Sequence, residues 1–383
     1  MKEIISNYIN DRRQEMLDLL EKLVNIDSGS YTIEGVKAES DIIRSYLEQL
    51  GFTVQMLEND KYAPHILAKK MGAGKNNIMF LGHMDTVFPE GTAAQRPFTI
   101  KDGKVYGPGV CDMKAGLISL IYALKALENA GYDSYGTLTI LFNTDEERGS
   151  TTSEKYIIEE CRNHDMVLVL EAGIPENFVV IERQGGGIFN MDIWGKPSHA
   201  GANPLDGIHS ITEACHKTLA LHALTDYDKG KSISIGVING GTRSNIIPEH
   251  VFMEIDLRCK VNTDGLNLIE QMGKISDTCF VPGTKSKLTQ VMYRPPIEKT
   301  SGNIDMYNKL QKVAYMLGTE IQEQYFGGGS DGNYTSAEGI PTIDSLGPIG
   351  ELEHTDDEYV IVESIFSRTI MLGLFLIELT GKE

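Results

Sequence analysis

Cysteine is scarce in this chain. Cys111, Cys161, Cys215, Cys259 and Cys279 make an odd set of 5, and no two are spaced as CxxC. That argues against a disulfide framework and fits a reducing compartment. Basic residues are also in deficit: 35 Lys and Arg stand against 54 Asp and Glu, a formal net charge of -19. Such a balance speaks against nucleic acid or an anionic membrane as partner. No apolar run approaches the ~20 residues of a membrane span. The stretch from Met1 to Arg13 is studded with charges and lacks the apolar core of a secretory signal. A cytoplasmic protein is expected.

What is present is an ordinary globular composition, 41% hydrophobic and 23% charged, over 383 residues. That length suits two domains. From the N-terminus to about Leu170, amphipathic helices alternate with short apolar strands at Phe52–Leu57, His65–Lys69, Ile78–Leu81, Thr137–Phe142 and Met166–Leu170. This order predicts a largely parallel mixed sheet flanked by helices, an α/β catalytic domain. From Arg183 the texture changes. Strands near Ile188–Trp194, Ser232–Ile238, Val251–Arg258 and Leu288–Tyr293 enclose two helices in the order β-α-β-β-α-β, that of a ferredoxin-like, split βαβ domain. Arg294-Pro295-Pro296 cannot easily extend a strand and marks the return linker. The expected domains are 1–182 with 294–383, and an inserted 183–293.

The chemistry gathers at strand ends. Thr137–Phe142 stops in Asp145-Glu146-Glu147, Ile78–Leu81 runs into His83 and Asp85, and Met166–Leu170 ends at Glu171. Open α/β sheets place their ligands at the carboxyl ends of their strands. Asp112 stands at the start of a long helix, and His354 in a late loop. A single such residue is most often a capping or solvated group, but five convergent positions point to a metal centre. Imidazole and carboxylate without thiolate suit zinc, with cobalt or manganese as alternatives. Asp85, two residues beyond His83, suits the carboxylate that steadies a metal-bound imidazole.

These residues resemble a known family, the dinuclear zinc exopeptidases and deacylases that include glutamate carboxypeptidase, acetylornithine deacetylase and succinyl-diaminopimelate desuccinylase. The resemblance rests on Gly82-His83-Met84-Asp85-Thr86, on Tyr106-Gly107-Pro108-Gly109 through Asp112-Met113-Lys114-Ala115-Gly116, and on Asn143-Thr144-Asp145-Glu146-Glu147. Ser198-His199-Ala200-Gly201 and His354-Thr355-Asp356 complete it. It implies two zinc ions per subunit. Asp112, joined to Met113 by a cis peptide, would bridge them; His83 and Glu171 would complete one ion, and Glu147 and His354 the other. Glu146 is then the general base and Asp85 the supporting carboxylate. His199 is the histidine that reaches a partner subunit's site, so a homodimer through the inserted domain, which also acts as a lid, is implied. Asn245 and Arg258 match positions that hold a substrate carboxylate, and the glycine loop around Gly328 is a candidate for the same anion.

The expected function is zinc-dependent hydrolysis that releases a C-terminal amino acid, using metal-activated water and Glu146. Within the family, Glu rather than Asp at position 171 accompanies carboxypeptidases and deacylases, and Ser345-Leu346-Gly347-Pro348 leans to the carboxypeptidase branch. The alternative is an N-acyl amino acid deacylase. An aminopeptidase and a non-catalytic binding protein rank below both. The expected substrate is a small peptide or an N-acyl amino acid.

Overall fold

A computed structural model describes residues 1–381. The chain divides into two compact units. The first comprises Met1–Glu182, Lys299–Tyr325 and the chain from Ser330 onward; the second comprises Arg183–Glu298 and Phe326–Gly329.

The first unit is built on a six-stranded sheet. Its order is Thr53–Leu57, His65–Met71, Thr137–Asn143, Ile78–His83, Met166–Val169 and Thr342–Ile343. Ile78–His83 runs parallel to both its neighbours, and Thr342–Ile343 is parallel to Met166–Val169. His65–Met71 runs antiparallel to both strands beside it. Side chains alternate across a strand, and here both faces are apolar. Ile78 and Phe80 join the larger core with Ile140, Phe142 and Leu168, whereas Met79 and Leu81 join a second core with Leu141, Val167 and Val169. The larger core is covered by helices that include Ala115–Asn129 and Val362–Thr380, and the second core by Ile157 and Cys161 of helix Glu154–Cys161. A strand buried on both faces reads as a continuous apolar run, which explains the unbroken Ile-Met-Phe-Leu at 78–81.

A small antiparallel sheet in the same unit lies in a stretch that reads as loop in the sequence. Thr99–Lys101 and Lys104–Tyr106 form a hairpin, and Tyr359–Ile361 pairs with Lys104–Tyr106. Strands of three residues flanked by proline are too short to show periodicity.

The second unit is a four-stranded antiparallel sheet in the order Ser232–Gly240, His250–Cys259, Gly185–Trp194, Lys285–Arg294. Helices Ser210–His222 and Asn262–Asp277 pack on it. The unit runs past Arg294 to Glu298 because Arg183 and Ile297 exchange two backbone hydrogen bonds of 3.0 Å. The two prolines therefore stay tied to the residue that opens the unit, Arg183. Among the described residues no helix is long and apolar enough to cross a membrane. All five cysteines are free.

Candidate active site

The sheet of the first unit delivers its side chains to one place. Ile78–His83 ends in His83, which is 1% exposed. Its Nδ1 lies 2.8 Å from the backbone oxygen of Asp85 and 3.6 Å from the Asp85 carboxylate. The imidazole is thus steadied chiefly by the Asp85 carbonyl rather than by the carboxylate expected from the sequence. That carboxylate has other work. Its Oδ2 accepts Ser30 Oγ at 2.7 Å, and its two oxygens accept the backbone N–H groups of Glu146 at 3.2 Å and Glu147 at 3.3 Å. Asp85 therefore ties the histidine strand to the turn Glu146–Arg148. Burial pushes its carboxyl up to about 7, against the pull of His83 and Ser30.

Asp112 is not a helix cap. It sits in a tight turn, Val110–Lys114, with φ -116° and ψ 91°, ahead of helix Ala115–Asn129, and its peptide bond to Met113 is cis. Its two carboxylate oxygens face different histidines. Oδ1 is 2.9 Å from His83 Nε2, and Oδ2 is 3.0 Å from His354 Nε2. Glu171 Oε1 lies 3.9 Å from His83 Nε2, and Glu147 Oε2 lies 3.4 Å from His354 Nε2. Ligand atoms of His83, Asp112 and Glu147 all fall within 4.8 Å of one another.

The electrostatics show what such a cluster calls for. Burial opposes ionisation of Asp112, but hydrogen bonds from His354 and His83 outweigh it and carry the carboxyl well below the usual range. His354, half exposed, is pushed up to about 11, first by its hydrogen bond to Asp112 and then by Glu147. Burial and then the Asp112 charge raise Glu171 well above the ordinary carboxyl value. Carboxylates crowded this closely need positive charge between them. Glu147 Oε1 is buried and has no hydrogen-bond partner among the described residues. An orphaned buried carboxylate oxygen beside two imidazoles fits a divalent cation, and the N/O donor set without sulfur suits zinc, cobalt or manganese.

Glu358 supports the cluster and was hidden in the sequence. Its carboxylate accepts backbone N–H groups from Gly109 at 2.9 Å, Cys111 at 2.7 Å and Asp112 at 3.0 Å, which fixes the Asp112 turn. In the run Asp356-Asp357-Glu358 it looks like one more solvated acid, yet it is 0% exposed.

The remaining candidates lie in the second unit. His199 and Asn245 are neighbours there: Ser198–His199 pairs with Ile246–Ile247, and Ala200 N–H donates to the Asn245 carbonyl at 3.0 Å. His199 Nδ1 accepts the N–H groups of Gly201 and Ala202 at 3.1 and 3.0 Å, so the neutral ring carries its proton on Nε2. Arg258 is engaged: Nε and Nη2 form a bidentate pair with Asp256, both at 2.8 Å. Its Nη1 lies over Gly186, where an added Cβ would come within 3.1 Å. In the glycine loop, the carbonyls of Gly328 and Gly329 accept Arg183 Nη1 at 3.3 and 3.0 Å.

The sequence model of peptidase family M20/M25/M40 matches residues 79–378. Carboxypeptidase G2 of Pseudomonas sp. (strain RS-16) is 33% identical, covering 96% of this chain and 90% of the relative. Succinyl-diaminopimelate desuccinylase of Psychrobacter sp. (strain PRwf-1) is 28% identical over 94% of each. The fold is shared with aminopeptidase PepT of Bacillus cereus ATCC 10987, with a TM-score of 0.79 at 24% identity over 97% of this chain and 99% of that one. It is shared too with the M20 family metallo-carboxypeptidase Sso-CP2 of Sulfolobus solfataricus, with a TM-score of 0.76 at 18% identity over 96% and 99%. With the histidine and carboxylate cluster at its strand ends, the chain belongs to peptidase family M20/M25/M40 and is a metallohydrolase of peptide or amide bonds.

Proposed function

We propose that this protein is a two-zinc carboxypeptidase that releases a C-terminal amino acid from a small peptide or N-acyl substrate. The observation that carries this reading is the division of Asp112 between two histidines, each with its own glutamate. His83, Glu171 and Asp112 Oδ1 would hold one ion; His354, Glu147 and Asp112 Oδ2 would hold the other, with cobalt or manganese as alternatives to zinc. When bound, such ions lower the pKa of water and polarise an amide carbonyl. Glu146 supplies the proton movement. Its carboxylate takes a proton from the attacking water and hands it to the leaving nitrogen, which would otherwise depart as an unstable amide anion.

His199 offers Nε2–H as a donor to the developing oxyanion. By the family resemblance this takes place in a partner subunit's site, with dimerisation through the second unit, which serves as a lid. Asn245 and Arg258 would bind the terminal carboxylate. Arg258 meets it by exchanging the Asp256 pair or by using Nη1, since its fork is otherwise taken. Five free cysteines support a cytoplasmic setting.

The name of the first relative supports the carboxypeptidase reading, and that of the second supports a deacylase with the same chemistry. The test is hydrolysis of a panel that varies both ends of the amide and includes substrates with a free α-amine. Release of one C-terminal residue type whatever the acyl group is the expected result. Dependence on the acyl group would move the protein to the deacylases. Glu146→Gln is expected to keep its metal and lose at least about a hundredfold in kcat. Unchanged turnover in that variant would sink the base assignment.

A further inference from the structure

We propose that His65 and Thr152 are positioning residues for the reaction: through Asp145 they set the turn that carries Glu146. The inference rests on the reading of Glu146 as the general base. His65 opens the second strand of the main sheet and is 0% exposed. Its ring is locked in one tautomer. Thr144 N–H can only donate, and it meets His65 Nδ1 at 3.2 Å. The Thr144 hydroxyl, also 3.1 Å from Nδ1, spends its proton on the Ala63 carbonyl. Nδ1 is therefore the acceptor and Nε2 carries the hydrogen. Burial lowers the pKa of His65, which keeps the ring neutral.

From Nε2 the chain of donors runs one way. Nε2–H donates to Thr152 Oγ1 at 3.0 Å, and that hydroxyl donates onward to Asp145 Oδ2 at 2.9 Å. Oδ2 also accepts Thr152 N–H at 2.7 Å, and Oδ1 accepts Ser153 Oγ at 2.6 Å. The Asp145 carbonyl takes the N–H groups of Arg148 at 3.1 Å and Ser150 at 2.8 Å. Asp145 thus closes residues 145–153 on themselves, and Glu146 and Glu147 project from that closed loop. Asp85 grips the loop from the other side through the N–H groups of both glutamates. His65 is the one member of this donor chain fixed in the sheet. It transmits the position of a rigid strand to the loop, and a base must be held within a fraction of an ångström to work.

Thr152→Val removes the hydroxyl and keeps the shape and the backbone N–H; Thr152→Ser restores the hydroxyl. Both are assayed in zinc-loaded protein, with metal content and melting temperature, on the panel amide that the unaltered protein turns over fastest. The valine variant is expected to lose about tenfold in kcat, with KM and metal content preserved and the serine variant back within about twofold. Equal losses in Val and Ser, or an unaltered kcat in Val, overturn the proposal. If the valine variant does not fold, His65→Gln, which keeps a donor at the Nε2 position, is compared with His65→Asn, which does not reach Thr152. Gln must then retain more kcat than Asn, and equal effects overturn the proposal. Glu146→Gln separates the two readings. If it stays active the base assignment falls; if it is inactive while Thr152→Val is fully active, only the positioning chain falls.

Discussion

The carboxylate of Asp112 is shared between His83 and His354, and that sharing has a protonic consequence. In the metal-free protein the His354 pKa is raised to about 11 by Asp112 and Glu147, so at pH 7 its ring is protonated. A cation requires the neutral imidazole. Metal binding at neutral pH should therefore release at least one proton, and affinity should rise with pH up to that value. Calorimetric titration of the ion in buffers of differing ionisation enthalpy measures this directly; proton uptake would contradict it. Glu358 offers a second test at this scale. Glu358→Gln leaves at least one of three buried N–H donors without its acceptor, which costs about 1–3 kcal/mol. The Asp112 turn loosens with it, so metal affinity should fall about tenfold or more, as competition with a chelator would show. The metal-ligand candidates were legible in the sequence because each follows an apolar strand or a motif. Glu358 and His65 were not. A carboxylate that holds backbone amides and an imidazole that orients a threonine have no spacing rule, since their partners are 246–249 and 79–87 residues away.

At the scale of elements, the glycine after Lys114-Ala115 explains why the Asp112 motif ends as it does. A Cβ on Gly116 would lie 2.1 Å from the Leu170 carbonyl oxygen. The first turn of helix Ala115–Asn129 therefore rests against the strand end that carries Glu171, and only glycine permits that approach. Gly116→Ala should force the helix away, destabilising the protein by about 1–3 kcal/mol and weakening metal binding together with it. A variant with unaltered melting temperature and metal content would show that the contact is slack. The main sheet and the β-α-β-β-α-β order of the second unit could be read from periodicity, strand ends falling within a few residues of their positions. The hairpin Thr99–Lys101/Lys104–Tyr106 could not. Nor could the turn Val110–Lys114, whose sequence reads as the beginning of the helix that follows.

For the molecule as a whole, the residues of the candidate metal centre all belong to the first unit, and none to Arg183–Glu298. A bound ion stabilises only the state that binds it, by about 2.7 kcal/mol at a hundredfold excess over Kd. Chelation should then lower the melting transition of the first unit and leave that of the second in place, which calorimetry resolves as a shift of one component. Equal shifts of both components would mean that the units unfold as one.

The first unit is also split along the chain. His83, Asp112, Glu147 and Glu171 precede the intervening unit, and His354 follows it. During synthesis the ribosome makes four of these five residues, then the nearly continuous second unit, and only then His354. The second unit can fold while the first is still waiting for its last segment. One of the two histidines flanking Asp112 is thus added only after the second unit has been made. A nascent chain stalled between the second unit and His354 carries the Glu146 turn but not the complete cluster. The order of the residues in the gene therefore delays assembly of the candidate metal centre until the second unit has been made.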